Sequence, residues 1–127
     1  MIPYDEDPLY YVNGNQSLEE LMQDYRLEKR RLAEIREAMK GHRFMVAICR
    51  ANLKNYMQKL PGLIEEVKGF RCSEEAKQAL IEVYERKAAQ LEEKLQYAIG
   101  NEGCDAVNEE SCLIRMQKLE EIIKNKK

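Results

Sequence analysis

General acid–base or nucleophilic chemistry needs a second group held beside the first. The one histidine of this chain, His42, has no evident partner. It stands between Gly41 and Arg43, a setting that reads as a turn residue rather than a base. Four cysteines, Cys49, Cys72, Cys104 and Cys112, are separated by 23, 32 and 8 positions, with no Cys-x-x-Cys pair. Zinc sites usually draw ligands in pairs two to four residues apart, so a four-cysteine centre would need long-range assembly. Cys49 ends an apolar run and reads as a small buried hydrophobe. Cys104 has acidic neighbours, which disfavour a reactive thiolate.

Adjacent acids at Glu92-Glu93, Glu109-Glu110 and Glu120-Glu121 alternate with lysines, the pattern of solvated helix faces with i,i+4 pairing. Interior glycines fall at expected helix ends or at a kink, so none forms a phosphate-cradling loop. These residues assign no catalytic, metal-ligating or cofactor-binding role. The expectation is a protein that is not an enzyme and carries no cofactor.

Charge layout is the feature that rises above background. Residues 1–25 carry six acids and no base, for −6, whereas residues 26–59 carry ten bases and three acids, for +7. The remainder is −3, within a net charge of −2. Such segregation in a nearly neutral chain speaks about surfaces. The acidic front also holds tyrosines, and the candidate partner-binding residues there are Tyr4, Asp5, Glu6, Asp7, Tyr10 and Tyr11. On the basic side they are Arg26, Lys29, Arg30, Lys40 and Arg43.

Three readings fit this layout. The basic flank is a solvated face, or it receives the acidic arm or a protein partner, or it tracks nucleic-acid phosphates. Against the last stand the negative net charge, the lack of interleaved aromatics and the acids Glu28, Glu34 and Glu37 within the run.

The elements that would position these residues are helical. Ser17-Leu18-Glu19-Glu20 is a capping box, followed by an apolar stripe through Leu21, Tyr25, Leu32, Ile35 and Met39. Lys40-Gly41 reads as its end, with glycine in the left-handed conformation. Phe44 to Cys49 is apolar on every face, so this second helix is expected to sit deepest, with Val46 and Ile48 both nearly inaccessible. Pro61-Gly62 interrupts it, yet Val46, Leu53, Leu60 and Val67 keep a seven-residue phase, which predicts a kink.

Ser73 caps a third helix that Gly100 stops. "NEGCDAVNEES" reads as a polar linker in which Asp105 and Asn108 are candidate caps for a fourth. The expected fold is all-α: an antiparallel, coiled-coil-like four-helix bundle with helices at about 18–40, 43–68, 74–99 and 106–125. The helical domain covers 17–127, preceded by an extended arm over 1–16. In that arm Leu9, Tyr10 and Val12 are expected to cover the bundle end, with Asn13-Gly14 as the turn.

No run approaches the roughly 18 apolar residues of a membrane span. Asp5, Glu6 and Asp7 replace the positive charge of an export signal, which points to the cytoplasm and to four free thiols. The function expected is macromolecule binding, as a small protein-binding regulator, inhibitor or assembly adaptor. The partner is another protein or a second copy, as a homodimer. A nucleic-acid-associated regulator using the basic flank is the alternative.

Overall fold

The computed structural model describes residues 16–127, and these fold as two helices, α1 (Leu18–Lys68) and α2 (Glu74–Lys126). Among the described residues the fold is all-helical. The arm candidates Tyr4, Asp5, Glu6, Asp7, Tyr10 and Tyr11, together with Leu9 and Val12, lie outside the described residues.

Local chemistry accounts for the ends. At the start of α1 the Glu20 N–H donates to Ser17 Oγ (3.2 Å), and that hydroxyl donates to the Glu20 carboxylate (2.9 Å). Ser73 Oγ likewise accepts from the Ala76 N–H (3.1 Å), with Glu74 and Glu75 in the first turn of α2. α1 closes through Gly69 N–H to Glu66 O and Phe70 N–H to Val67 O, both 3.1 Å. Lys77 Nζ donates to the Lys68 carbonyl (3.0 Å), which sets a cation at the negative end of α1.

The expected four-helix bundle is therefore corrected to two helices, because the two expected breaks after residues 40 and 99 are absent. α1 runs through Gly41 and Pro61, and α2 runs through Gly100 and the polar stretch to Ser111. Neither Gly41 nor Gly100 takes the left-handed conformation that stops a helix. Pro61 and Gly62 both face water while Leu60 and Val67 on either side are buried. The hydrogen bond that proline removes is thus lost on the wet side, where water replaces it, and the apolar contacts continue. Propensity is a weak local preference, and burial of a repeating stripe overrides it.

That stripe is a heptad seam. On α1 the buried and half-buried positions include 21, 25, 28, 32, 35, 39 and 42, then 46, 49, 53, 56, 60, 63 and 67. Spacings of four and three alternate along each series, as in a coiled-coil interface. The chain divides into two compact units: one takes α1 up to His42 with α2 from Gly100, and the other is Arg43–Ile99. Within each, the α1 portion packs antiparallel on its α2 portion. In the first, Tyr25 meets Glu120, Arg36 meets Glu109 and His42 meets Asp105. In the second, Val46 packs with Leu95 and Ala98, flanked by Cys49, Leu53 and Ile99.

Candidate functional site

In the unit formed by residues 16–42 and 100–127 the seam turns polar. Glu28, Asp105, Asn108, Ser111 and Arg115 are all buried there, beside Leu21, Leu32, Met39, Cys112 and Leu119. Arg115 is 1 % exposed, and its Nε lies 3.0 Å from Glu28 Oε1. The same oxygen accepts from Arg31 Nη1 (2.9 Å). The Cys112 thiol, fully buried, sits 3.1 Å from the Glu28 carbonyl oxygen and 3.2 Å from its Oε2. One carboxylate thus holds two guanidinium groups and a thiol. A buried charge costs several kcal/mol unless it is paired, and this arrangement supplies the pairing.

About two turns of α2 before Cys112, the His42 Nδ1 pairs with Asp105 Oδ2. Asp105 is fully buried and His42 is 27 % exposed at its side chain. Among the described residues Asp105 Oδ1 has no hydrogen-bond partner. His42 is therefore a seam residue of a continuous helix, not an exposed turn residue. Asp105 and Asn108 are buried inside α2 and are not caps. Glu109 and Glu120 also differ from the expected solvated pairs, since Glu109 binds Arg36 (3.0 Å) and Glu120 accepts from Tyr25 (2.7 Å) across the two helices. That hydrogen bond, then partial burial and the carboxylate's charge, raise the Tyr25 phenol above its ordinary pKa.

These residues were legible as polar but not as buried. The available signal was register: Glu28 and His42 occupy seam positions between Leu21 and Val46. Asp105, Cys112 and Leu119 repeat every seven residues on α2 in the same way. All four cysteines are free thiols, with Cys49 and Cys104 half-buried, Cys72 exposed and Cys112 buried. Among the described residues no three His, Cys, Asp or Glu side chains converge to hold a metal ion. No helix among them is long and apolar enough to cross a membrane.

The basic candidates are all exposed. Arg26 borders a groove, Lys40 pairs with Glu37 (3.3 Å), and Lys29, Arg30 and Arg43 face outward. In the unit Arg43–Ile99 the expected deep burial of the Phe44–Cys49 run does not hold. Val46 is buried and Ile48 and Cys49 are half-buried, whereas Phe44 is 66 % and Met45 48 % exposed. Two helices cover one side of each other, and a residue opposite the seam has nothing to pack against.

Phe44, Ala47, Ile48 and Ala51 follow one another at i, i+3, i+4 and i+7, which makes a second apolar stripe on the outer face of α1. From Ala38 to Ile64 the chain holds five bases (Lys40, Arg43, Arg50, Lys54, Lys59) and no acid. Elsewhere in this unit the Tyr56 hydroxyl donates to the Tyr84 carbonyl (2.9 Å) and Lys87 lies 5.1 Å above the Tyr56 ring. Burial, then the field at Tyr84, raises the Tyr56 phenol. No protein-family model, curated protein or solved structure matches the chain.

Proposed function

We propose that this chain is a non-enzymatic protein-binding module, a small regulator, inhibitor or assembly adaptor, which takes a partner helix along the outer stripe of α1. The observation that carries the reading is the exposure of Phe44 (66 %) and Met45 (48 %) beside Ala47, Ile48 and Ala51. Aromatic and methionine side chains anchor helix-in-groove contacts, and the two alanines let a second backbone approach closely. The stripe lies in the acid-free stretch, so the matching partner is an amphipathic helix with acidic flanks. A second copy of the same stripe would bring Arg43, Arg50 and Lys54 of both chains together, which favours a different protein over a homodimer.

Affinity capture from the native host with wild type and with Phe44→Ser/Ile48→Ser tests this. The expected result is a partner that cross-links to residues 44–51 and is lost with the double variant while the helix content stays unchanged. Capture that is equal with both proteins would refute the reading. The second reading, nucleic-acid binding, is favoured by the same acid-free stretch. It predicts binding that falls steeply with added salt, whereas apolar docking persists.

A further inference from the structure

In the unit formed by residues 16–42 and 100–127, a groove of about 400 Å³ is lined by Met22, Tyr25, Arg26, Ile123, Lys124 and Lys127, with Glu120 beside them. Its floor is apolar and its rim is basic. Glu120 is already engaged by the Tyr25 hydroxyl (2.7 Å), and Arg26, Lys124 and Lys127 form no ion pair among the described residues. A surface of this kind suits a short acidic peptide with apolar and aromatic side chains.

We infer that the occupant is the chain's own N-terminal segment, residues 1–15. That segment carries Asp5, Glu6 and Asp7 and no base, followed by Leu9, Tyr10 and Val12. Attachment favours it. The segment joins the helix at Gln16, and Met22, Tyr25 and Arg26 lie six to ten residues into the chain beyond that point.

The reach suffices with room to reverse direction. Nine extended residues from Asp7 to Gln16 span up to about 30 Å, against about 15 Å of helix from Gln16 to Arg26. Asn13-Gly14 supplies residues suited to the reversal. A tether this short holds the segment at an effective concentration in the millimolar range, so individually weak contacts fill the groove. The acids meet Arg26, Lys124 and Lys127, and the apolar group meets Met22 and Ile123. The outer stripe of α1 takes no part, so this inference stands or falls apart from the proposed function.

The test uses the full chain and native-state chymotrypsin cleavage after Leu9, Tyr10 and Tyr11, followed by mass spectrometry. Four proteins are compared: wild type, Arg26→Glu/Lys124→Glu, Asp5→Lys/Glu6→Lys/Asp7→Lys, and all five changes together. Docking predicts that either one-sided reversal speeds cleavage about fivefold, the size expected of a few exposed ion pairs, and that the combined protein returns to near the wild-type rate. Circular dichroism checks that helix content is kept. If Glu substitution reduces it, Arg26→Gln/Lys124→Gln carries the comparison.

Equal rates in all four proteins overturn the inference. So do one-sided effects that simply add in the combined protein. Protection that weakens on dilution would assign the groove to a neighbouring molecule's segment and overturn docking within one chain.

Discussion

Replacing Glu28 by leucine would restore an apolar residue to the α1 seam, and by pattern alone it should stabilise the protein. The structure predicts the reverse. Arg115 is 1 % exposed and its Nε lies 3.0 Å from Glu28 Oε1, so Glu28→Leu takes a paired carboxylate away from a buried guanidinium. Removing one partner of a buried pair costs about 3–5 kcal/mol. Against a total stability of about 5–15 kcal/mol, that is about a fifth or more of the whole.

The opposite truncation should cost less. In Arg115→Leu, Glu28 keeps Arg31 at 2.9 Å, and Arg31 is half exposed, so the carboxylate retains a hydrated cation. The expected loss is roughly 1–3 kcal/mol. The double variant Glu28→Leu/Arg115→Leu removes both charges, leaves an apolar pair and should lie within about 1 kcal/mol of wild type or above it.

Urea unfolding followed by far-UV circular dichroism measures all four corners. With a slope of about 1–3 kcal/mol per molar urea, the Glu28→Leu midpoint should fall by roughly 1–5 M relative to wild type. The cycle should show a coupling of at least about 3 kcal/mol. A Glu28→Leu protein as stable as wild type would refute the reasoning, and so would losses that add in the double variant.

Three further outcomes follow from neighbouring features. His42→Leu should destabilise by about 3–5 kcal/mol, since it leaves the fully buried Asp105 carboxylate alone, and His42→Leu/Asp105→Leu should recover most of that in the same urea assay. Gly100→Ala and Gly103→Ala should each raise stability by about 0.4–1 kcal/mol, because both lie inside α2 with open space at the Cβ position. A loss instead would mean that the helix stops there.

The raised Tyr25 phenol fixes the sign of a pH effect. The neutral form is favoured in the folded state by its bond to Glu120, so its contribution is complete below the unfolded value of about 10 and is lost as pH rises through the higher folded value. Comparing wild type with Tyr25→Phe, the stability difference should be flat to about pH 10 and shrink above it. A difference that grows with alkalinity would contradict the Tyr25–Glu120 bond.

Sequence alone determined that the described chain would be helical, where the caps at Ser17 and Ser73 would lie, that Leu21, Leu32 and Met39 would share one stripe, and that Val46, Leu60 and Val67 would share another. These follow from local chemistry: a hydroxyl satisfying free N–H groups, and apolar side chains recurring at the helical period. It did not determine how many helices there are. Gly41, Pro61, Gly100 and "NEGCDAVNEES" are each helix breakers by local propensity, worth at most a few kcal/mol, and the continuous seam outweighs them.

Nor did the sequence reveal that Asp105, Asn108 and Arg115 are buried. A polar residue looks the same in a linker as in a core until its partner is known. The partners His42 and Glu28 lie 63 and 87 residues away along the chain. The same holds for Phe44 and Met45, apolar side chains that sequence consigns to the interior. Only the packing of two helices, with no third beside them among the described residues, leaves that face open, because an apolar residue is buried only where another element arrives to cover it.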